Sequence, residues 1–208
     1  MKVYSTIAFG LIAFSIPTLA APAPPASSPT EASTNDYRMG PMVPMQFRGS
    51  TVEGGPDMEL HGTAEQVITH LNKVHPGWEE EMESLDAIQK GALKARGWAG
   101  PPICFNTPGS DARAHIILGD GVSHLRRLGN QLCGTPANSC SRVSCSWYSA
   151  IYLCSDRNDP VGVPCNRIAD AAESIANVCQ KPGLWWQPAR GHLSDTDGYT
   201  IVVRGDGC

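Results

Sequence analysis

The apolar positions change their spacing several times along the chain, and each change predicts a different element. Between Ile7 and Ile16 they run almost without interruption until Pro17 breaks them. From Ala21 to Gly62 they are sparse and aperiodic among seven prolines and many Ser, Thr and Gly residues. Such a stretch buries too little surface to offset its ordering entropy, so a disordered leader is expected over 21–62. A helical period starts at Thr63: Ala64, Val67, Ile68, Leu71 and Val74 recur at three- and four-residue steps, Thr63 and Gln66 make a capping-box pair, and Pro76 stops the run. A second helix opens near Trp78, with Glu79, Glu80 and Glu81 at its positively polarised start and Met82, Leu85, Ile88 and Ala92 on one face before Gly97. Together these predict a helical hairpin over 63–97.

Residues 101–208 mix both periods. A short apolar stretch, Pro102 to Phe105, leads to a helix bearing Ala112, Ile116, Val122, Leu125 and Leu128, capped by Ser110 or Asp111. Gly119 and Gly121 weaken it by about 1 kcal/mol each relative to Ala, which its apolar period outweighs. Alternation from Arg142 to Trp147, continued by Ile151 and Leu153, predicts one long strand or a hairpin. On an unbroken strand Cys145 and Cys154 would face opposite ways and take different partners. Pro164 can open the next helix, where Ile168, Ala169, Ala172, Ile175, Ala176 and Cys179 form a stripe that turns Cys179 toward the core. Tyr199, Ile201 and Val203 alternate with Thr200, Val202 and Arg204 in a last strand. The expected fold is α+β: a small antiparallel or mixed sheet with two helices packed on one face, following the helical hairpin and the leader.

Cysteine usage turns that fold into a stapled one. Cys104, Cys133, Cys140, Cys145, Cys154, Cys165, Cys179 and Cys208 all lie in 101–208, an even count that predicts four disulfides in an oxidising compartment. Their spacings lack the paired short loops of zinc sites, so no metal or other cofactor is expected. The early apolar run agrees, because Lys2 before it and Thr18-Leu19-Ala20 after it read as a secretory signal over 1–20, cleaved after Ala20. At about ten residues it is too short for a membrane span, which needs about twenty, and no later segment comes close. The expected location is secreted and extracellular, with 21–97 ahead of the cysteine domain.

Charge narrows the partners. Residues 21–100 carry six Lys/Arg against eleven Asp/Glu, and 101–208 carry nine of each. Such a balance suits nucleic acid poorly, since phosphate binding needs clustered cations. No coiled-coil seam is visible, and a monomer is expected.

Ile103-Cys104, Arg142-Val143-Ser144-Cys145-Ser146-Trp147, Ser149-Ala150-Ile151, Cys154, Ile168-Ala169-Asp170 and Val202-Val203-Arg204 together resemble a family of small secreted cysteine-rich fungal proteins. The order of elements and cysteines is also similar to the α+β sandwich of fungal killer toxins and of necrosis-inducing fungal effectors. The resemblance covers 101–208 and implies a virulence or toxin-like role outside the cell, on a host or competitor target. The neutral balance of 101–208 departs from the basic, channel-blocking killer toxins.

The chemistry-bearing residues lean the same way. His115 and His124 are nine residues apart on one predicted helix and point to opposite sides, and Asp120 with His124 reads as a solvated ion pair. No nucleophile elbow or facing carboxylate pair occurs, so no catalytic residue is expected; an unrecognised secreted hydrolase or nuclease is the alternative. Aromatic residues are the better lead for binding: Trp147, Tyr148, Trp185 and Trp186, with Tyr152 nearby, offer flat apolar faces suited to an extracellular protein or a cell-wall glycan. Asp156-Arg157-Asn158-Asp159 reads as a turn, Arg204-Gly205-Asp206 likewise, and Ala95-Arg96 as a maturation site.

Overall fold

The structure is a computed structural model that describes residues 37–51, 55–80, 97–106, 109–185 and 187–208. The first elements are β1 (Met42–Pro44), β2 (Gln46–Gly49), β3 (Met58–His61) and helix α1 (Ala64–Val74). Next come β4 (Ile103–Cys104), β5 (Ala112–Arg113) and a helix built from α2 (Ala114–Ile116), a π turn (Ile117–Gly121) and α3 (Val122–Leu128). They are followed by β6 (Leu132–Thr135), β7 (Cys140–Ser146), β8 (Ser149–Ser155), β9 (Val161–Pro164) and helix α4 (Cys165–Cys179). The chain closes with β10 (Pro188–Ala189), β11 (Gly191–Ser194) and β12 (Tyr199–Gly205). This is a mixed α+β fold with several sheets. Among the described residues no helix is long and apolar enough to cross a membrane.

The main sheet has six strands in the order β1-β7-β8-β12-β11-β4, parallel only between β1 and β7. A four-stranded sheet runs β3-β2-β6-β9, and β5 pairs with β10 in a two-stranded ribbon. Period-two patterning explains the central strands, but β8 is buried at every residue and β12 at all but Arg204. The alternation is therefore between two buried faces rather than between core and solvent. Ile151, Leu153, Ile201 and Val203 enter the main core with the apolar stripe of α4, whereas Ala150, Tyr152, Cys154 and Val202 form a second cluster with Phe105, Tyr37 and Met39.

Tyr37 and Met39 belong to the expected leader, and here the expectation of disorder over 21–62 fails for the described part. Residues 42–44, 46–49 and 58–61 are strands, and Met45 and Phe47 are wholly buried. The apolar positions are few because these strands borrow a core from β6 and β7 instead of making one. Pro41 and Pro44 do not forbid this, since β1 lies at the edge of its sheet. Helix α1 begins as its sequence predicts, with the Thr63 N–H donating to Gln66 Oε1 at 3.0 Å. Ala64, Val67, Ile68 and Leu71 are buried, while Val74 is exposed. Most of the second helix of the expected hairpin, 81–96, lies outside the described residues, as do Ala95-Arg96.

The helix expected to start at Ser110 or Asp111 starts later. Ala112 and Arg113 are strand, and Arg113 takes the N-cap position. Ser110 and Asp111 are committed elsewhere: the Ser110 carbonyl accepts the Gly205 N–H at 2.8 Å, and the Asp111 carboxylate faces Lys181 and Arg190. The π turn carries both glycines that lower the helix propensity. A β-carbon on Gly121 would lie 2.7 Å from Ile151 Cδ1 and 3.3 Å from Ser144 Oγ, so glycine there permits the close approach of helix to sheet.

All eight cysteines pair, as Cys104–Cys179, Cys133–Cys165, Cys140–Cys154 and Cys145–Cys208. Cys145 and Cys154 do take different partners, because the expected strand is a hairpin. Helix α4 is pinned at both ends, to β6 of the smaller sheet through Cys165 and to β4 of the larger through Cys179.

Candidate functional site

Strands β7 and β8 meet in a two-residue turn, Ser146 pairing with Ser149 across Trp147 and Tyr148. Both turn residues adopt positive φ, 46° and 61°, as a tight hairpin matched to the strand twist requires. Asn-Gly is the usual solution; a large side chain in this region costs about 1–3 kcal/mol per residue. The aromatic pair is also turned outward, Trp147 and Tyr148 each 70% exposed. Cys145 sits just before the tip in its disulfide with Cys208, and the Asp206 N–H donates to the Tyr148 carbonyl at 3.2 Å. The tip is thus braced by the end of the chain.

Trp185 comes from the loop between α4 and β10. That loop folds back on itself, the Lys181 N–H donating to the Pro188 carbonyl at 2.8 Å and the Gln187 N–H to the Leu184 carbonyl at 3.0 Å. Trp185 is 86% exposed with Leu184 beside it, also exposed. The ribbon of β10 and β5 carries the loop to the hairpin: the Ala114 N–H reaches the Gln187 carbonyl at 2.9 Å, and the Arg113 N–H reaches Ser149 Oγ at 2.9 Å. Tyr148 and Trp185 consequently line one open cleft of about 370 Å³, together with Asp111 and Arg113. Of the aromatic residues singled out from sequence, the structure brings these two together, sets Trp147 at the tip outside the cleft wall, and buries Tyr152. Trp186 lies outside the described residues.

Arg113 escaped the sequence reading, and Asp111 entered it only as a helix-cap candidate. They reach the cleft through pairings between 110–113 and 187–205, which no local pattern announces. Gly205 is part of the reason, because a β-carbon there would lie 2.7 Å from the Asp111 carbonyl oxygen. Asp111 Oδ2 lies 2.9 Å from Lys181 Nζ, and Oδ1 lies 3.3 Å from the buried Arg190 Nε.

The other candidate groups are held apart. His115 is exposed, His124 is half-buried, and His192 is buried between the rings of Tyr37 and Phe105 at 5.5 and 5.4 Å. His124 pairs with Glu65 rather than Asp120, its Nδ1 3.3 Å from Glu65 Oε1. The same oxygen accepts the Ser144 hydroxyl and, at 3.3 Å, the Cys145 N–H. A hydrolytic relay places imidazole between hydroxyl and carboxylate; here the carboxylate is in the middle and Ser144 is buried, so the cluster ties α1 to β7 and α3. Burial pushes the Glu65 carboxyl up, but hydrogen bonds from His124, Ser144 and Thr63 outweigh it and hold the group below its ordinary value.

Ion pairs occupy the remaining motifs. Arg126 meets Glu173 and Asp170, and Arg127 meets Glu79. Arg157 engages Asp159 within the turn 156–159, while Asp156 ties that turn to the rest of the fold by accepting the Tyr37 hydroxyl at 2.5 Å and Thr200 Oγ1 at 3.0 Å. Asp206 accepts the buried Tyr152 hydroxyl, which with nearby Arg142 and Arg204 holds its carboxyl low. Among the described residues no group of three or more His, Cys, Asp or Glu is placed to hold a metal ion. No protein-family model, curated protein or solved structure matches the chain.

Proposed function

We propose that this chain is a secreted recognition protein of the fungal effector or toxin-like kind, acting by binding to a host or competitor surface rather than by catalysis. In this reading residues 1–20 are the export signal, and the mature monomer is a killer-toxin-like sandwich with two helices over one face of its main sheet. The observation that carries the reading is the aromatic face at the hairpin tip. Trp147 and Tyr148 are held in strained backbone and turned to solvent, and Trp185 is presented beside them. A domain choosing residues for stability alone would place Asn-Gly in the turn and bury the rings. Strain of that kind concentrates at functional positions. The four disulfides support export, since such bonds form and persist in oxidising compartments.

The test is to apply purified protein to host tissue and to competitor cells, beside a W147A/Y148A variant with unchanged circular dichroism. Necrosis or growth arrest from the wild type and a much weaker response to the variant is the expected result. Equal responses would remove the aromatic face from the account, and no response on any tested cell would remove the effector reading.

A further inference from the structure

We propose that the cleft lined by Tyr148, Trp185, Asp111 and Arg113 binds an acidic polysaccharide, a chain built from uronate-type sugars. This rests on the reading of that face as the recognition surface and names its ligand. Aromatic planes select for rings: the C–H faces of a sugar pack on exposed Tyr and Trp side chains, while polar groups at the edge read hydroxyls and carboxylates. A volume of about 370 Å³ is near the lower end of small-molecule sites, enough for one or two sugar rings of a longer chain that continues out of the open cleft.

The charge then separates acidic from neutral sugars. Asp111 is the carboxylate on the cleft wall, and it is already faced by Lys181 at 2.9 Å and Arg190 at 3.3 Å. Arg113 also lines the cleft; among the described residues its bond to Ser149 is made by the backbone N–H, and its guanidinium has no ion-pair or hydrogen-bond partner. The charge of Asp111 is thus met by Lys181 and Arg190, and the cation left on the cleft wall, Arg113, has the side chain best suited to grip a carboxylate through two parallel hydrogen bonds. A neutral glycan would leave Arg113 without use. An anionic membrane calls for a cluster of several basic residues on one exposed face, which a single unmatched arginine beside Asp111 does not supply.

The experiment measures the full-length secreted protein by affinity electrophoresis and titration calorimetry. Its probes are polygalacturonate and alginate, the neutral polymers chitin, β-glucan and cellulose, and vesicles of phosphatidylcholine with phosphatidylserine. The expected result is binding to a polyuronate that weakens with added salt. R113A should reduce it roughly tenfold or more, as expected for loss of a charged hydrogen-bonding partner, R113K should fall between, and W185A should also weaken it. All variants should keep the wild-type melting temperature. Binding confined to neutral polymers or to vesicles, polyuronate binding that R113A leaves unchanged, or no polysaccharide binding at all would overturn the proposal. If W185A still lowers attachment to target cells in those cases, the recognition face stands and only its ligand class is wrong; if W185A changes nothing on cells, the reading beneath it fails as well.

Discussion

Residue by residue, strain and charge mark the same place. Replacing Trp147-Tyr148 with Asn-Gly removes two large side chains from left-handed backbone, so thermal or urea unfolding should show a gain of up to about 1–3 kcal/mol per position, while attachment to target cells is lost. A stability loss would show that the rings brace the fold instead. Glu65, with Asp206, contributes to the behaviour in acid. The Glu65 carboxyl is held low in the folded protein, so its contribution is fully present above the unfolded value of about 4.3 and is lost as pH falls through the lower folded value. An acid titration followed by circular dichroism should therefore show wild-type stability falling below pH ~4, and E65Q should flatten that fall. The aromatic half of the site was legible because Trp and Tyr in a polar, turn-forming context are visible in any sequence. Asp111 was misread as a helix cap, since a carboxylate before an apolar helical period carries that signal whatever its side chain finally meets. Arg113 carried no signal at all.

Elements were legible where their period was their own. Helices α1 and α4 and the β7–β8 hairpin each contain a full repeat of apolar positions, and each formed over the stretch that repeat marks. Strands β1, β2 and β3 contain too few apolar residues to announce themselves, and β6 and β9 are four residues long. Their stability comes from pairing across long separations, as when Phe47 sits opposite Cys133. The leader is consequently part of the fold from Tyr37 onward. Truncating Phe47 to Ala should cost about 3–5 kcal/mol, the range for a wholly buried aromatic ring, measured by urea unfolding. A dispensable leader would show no change.

The whole molecule is small, and two of its four sulfur bridges run between layers, while Cys140–Cys154 links neighbouring strands of the main sheet. Cys133–Cys165 and Cys104–Cys179 fasten α4 to two different sheets, and Cys145–Cys208 ties the chain end to the base of the aromatic tip. The last closes a loop with a sequence separation of 63, so a C145S/C208S variant should lose about 4 kcal/mol in the chain-entropy account, with the tip losing its brace. These bridges hold the scaffold that displays the tip. The most direct measurement is a binding isotherm of labelled protein on whole target cells, wild type against a folded Y148A/W185A variant. Saturable wild-type binding that the double variant lacks is the predicted outcome. Identical isotherms for the two proteins would contradict the account.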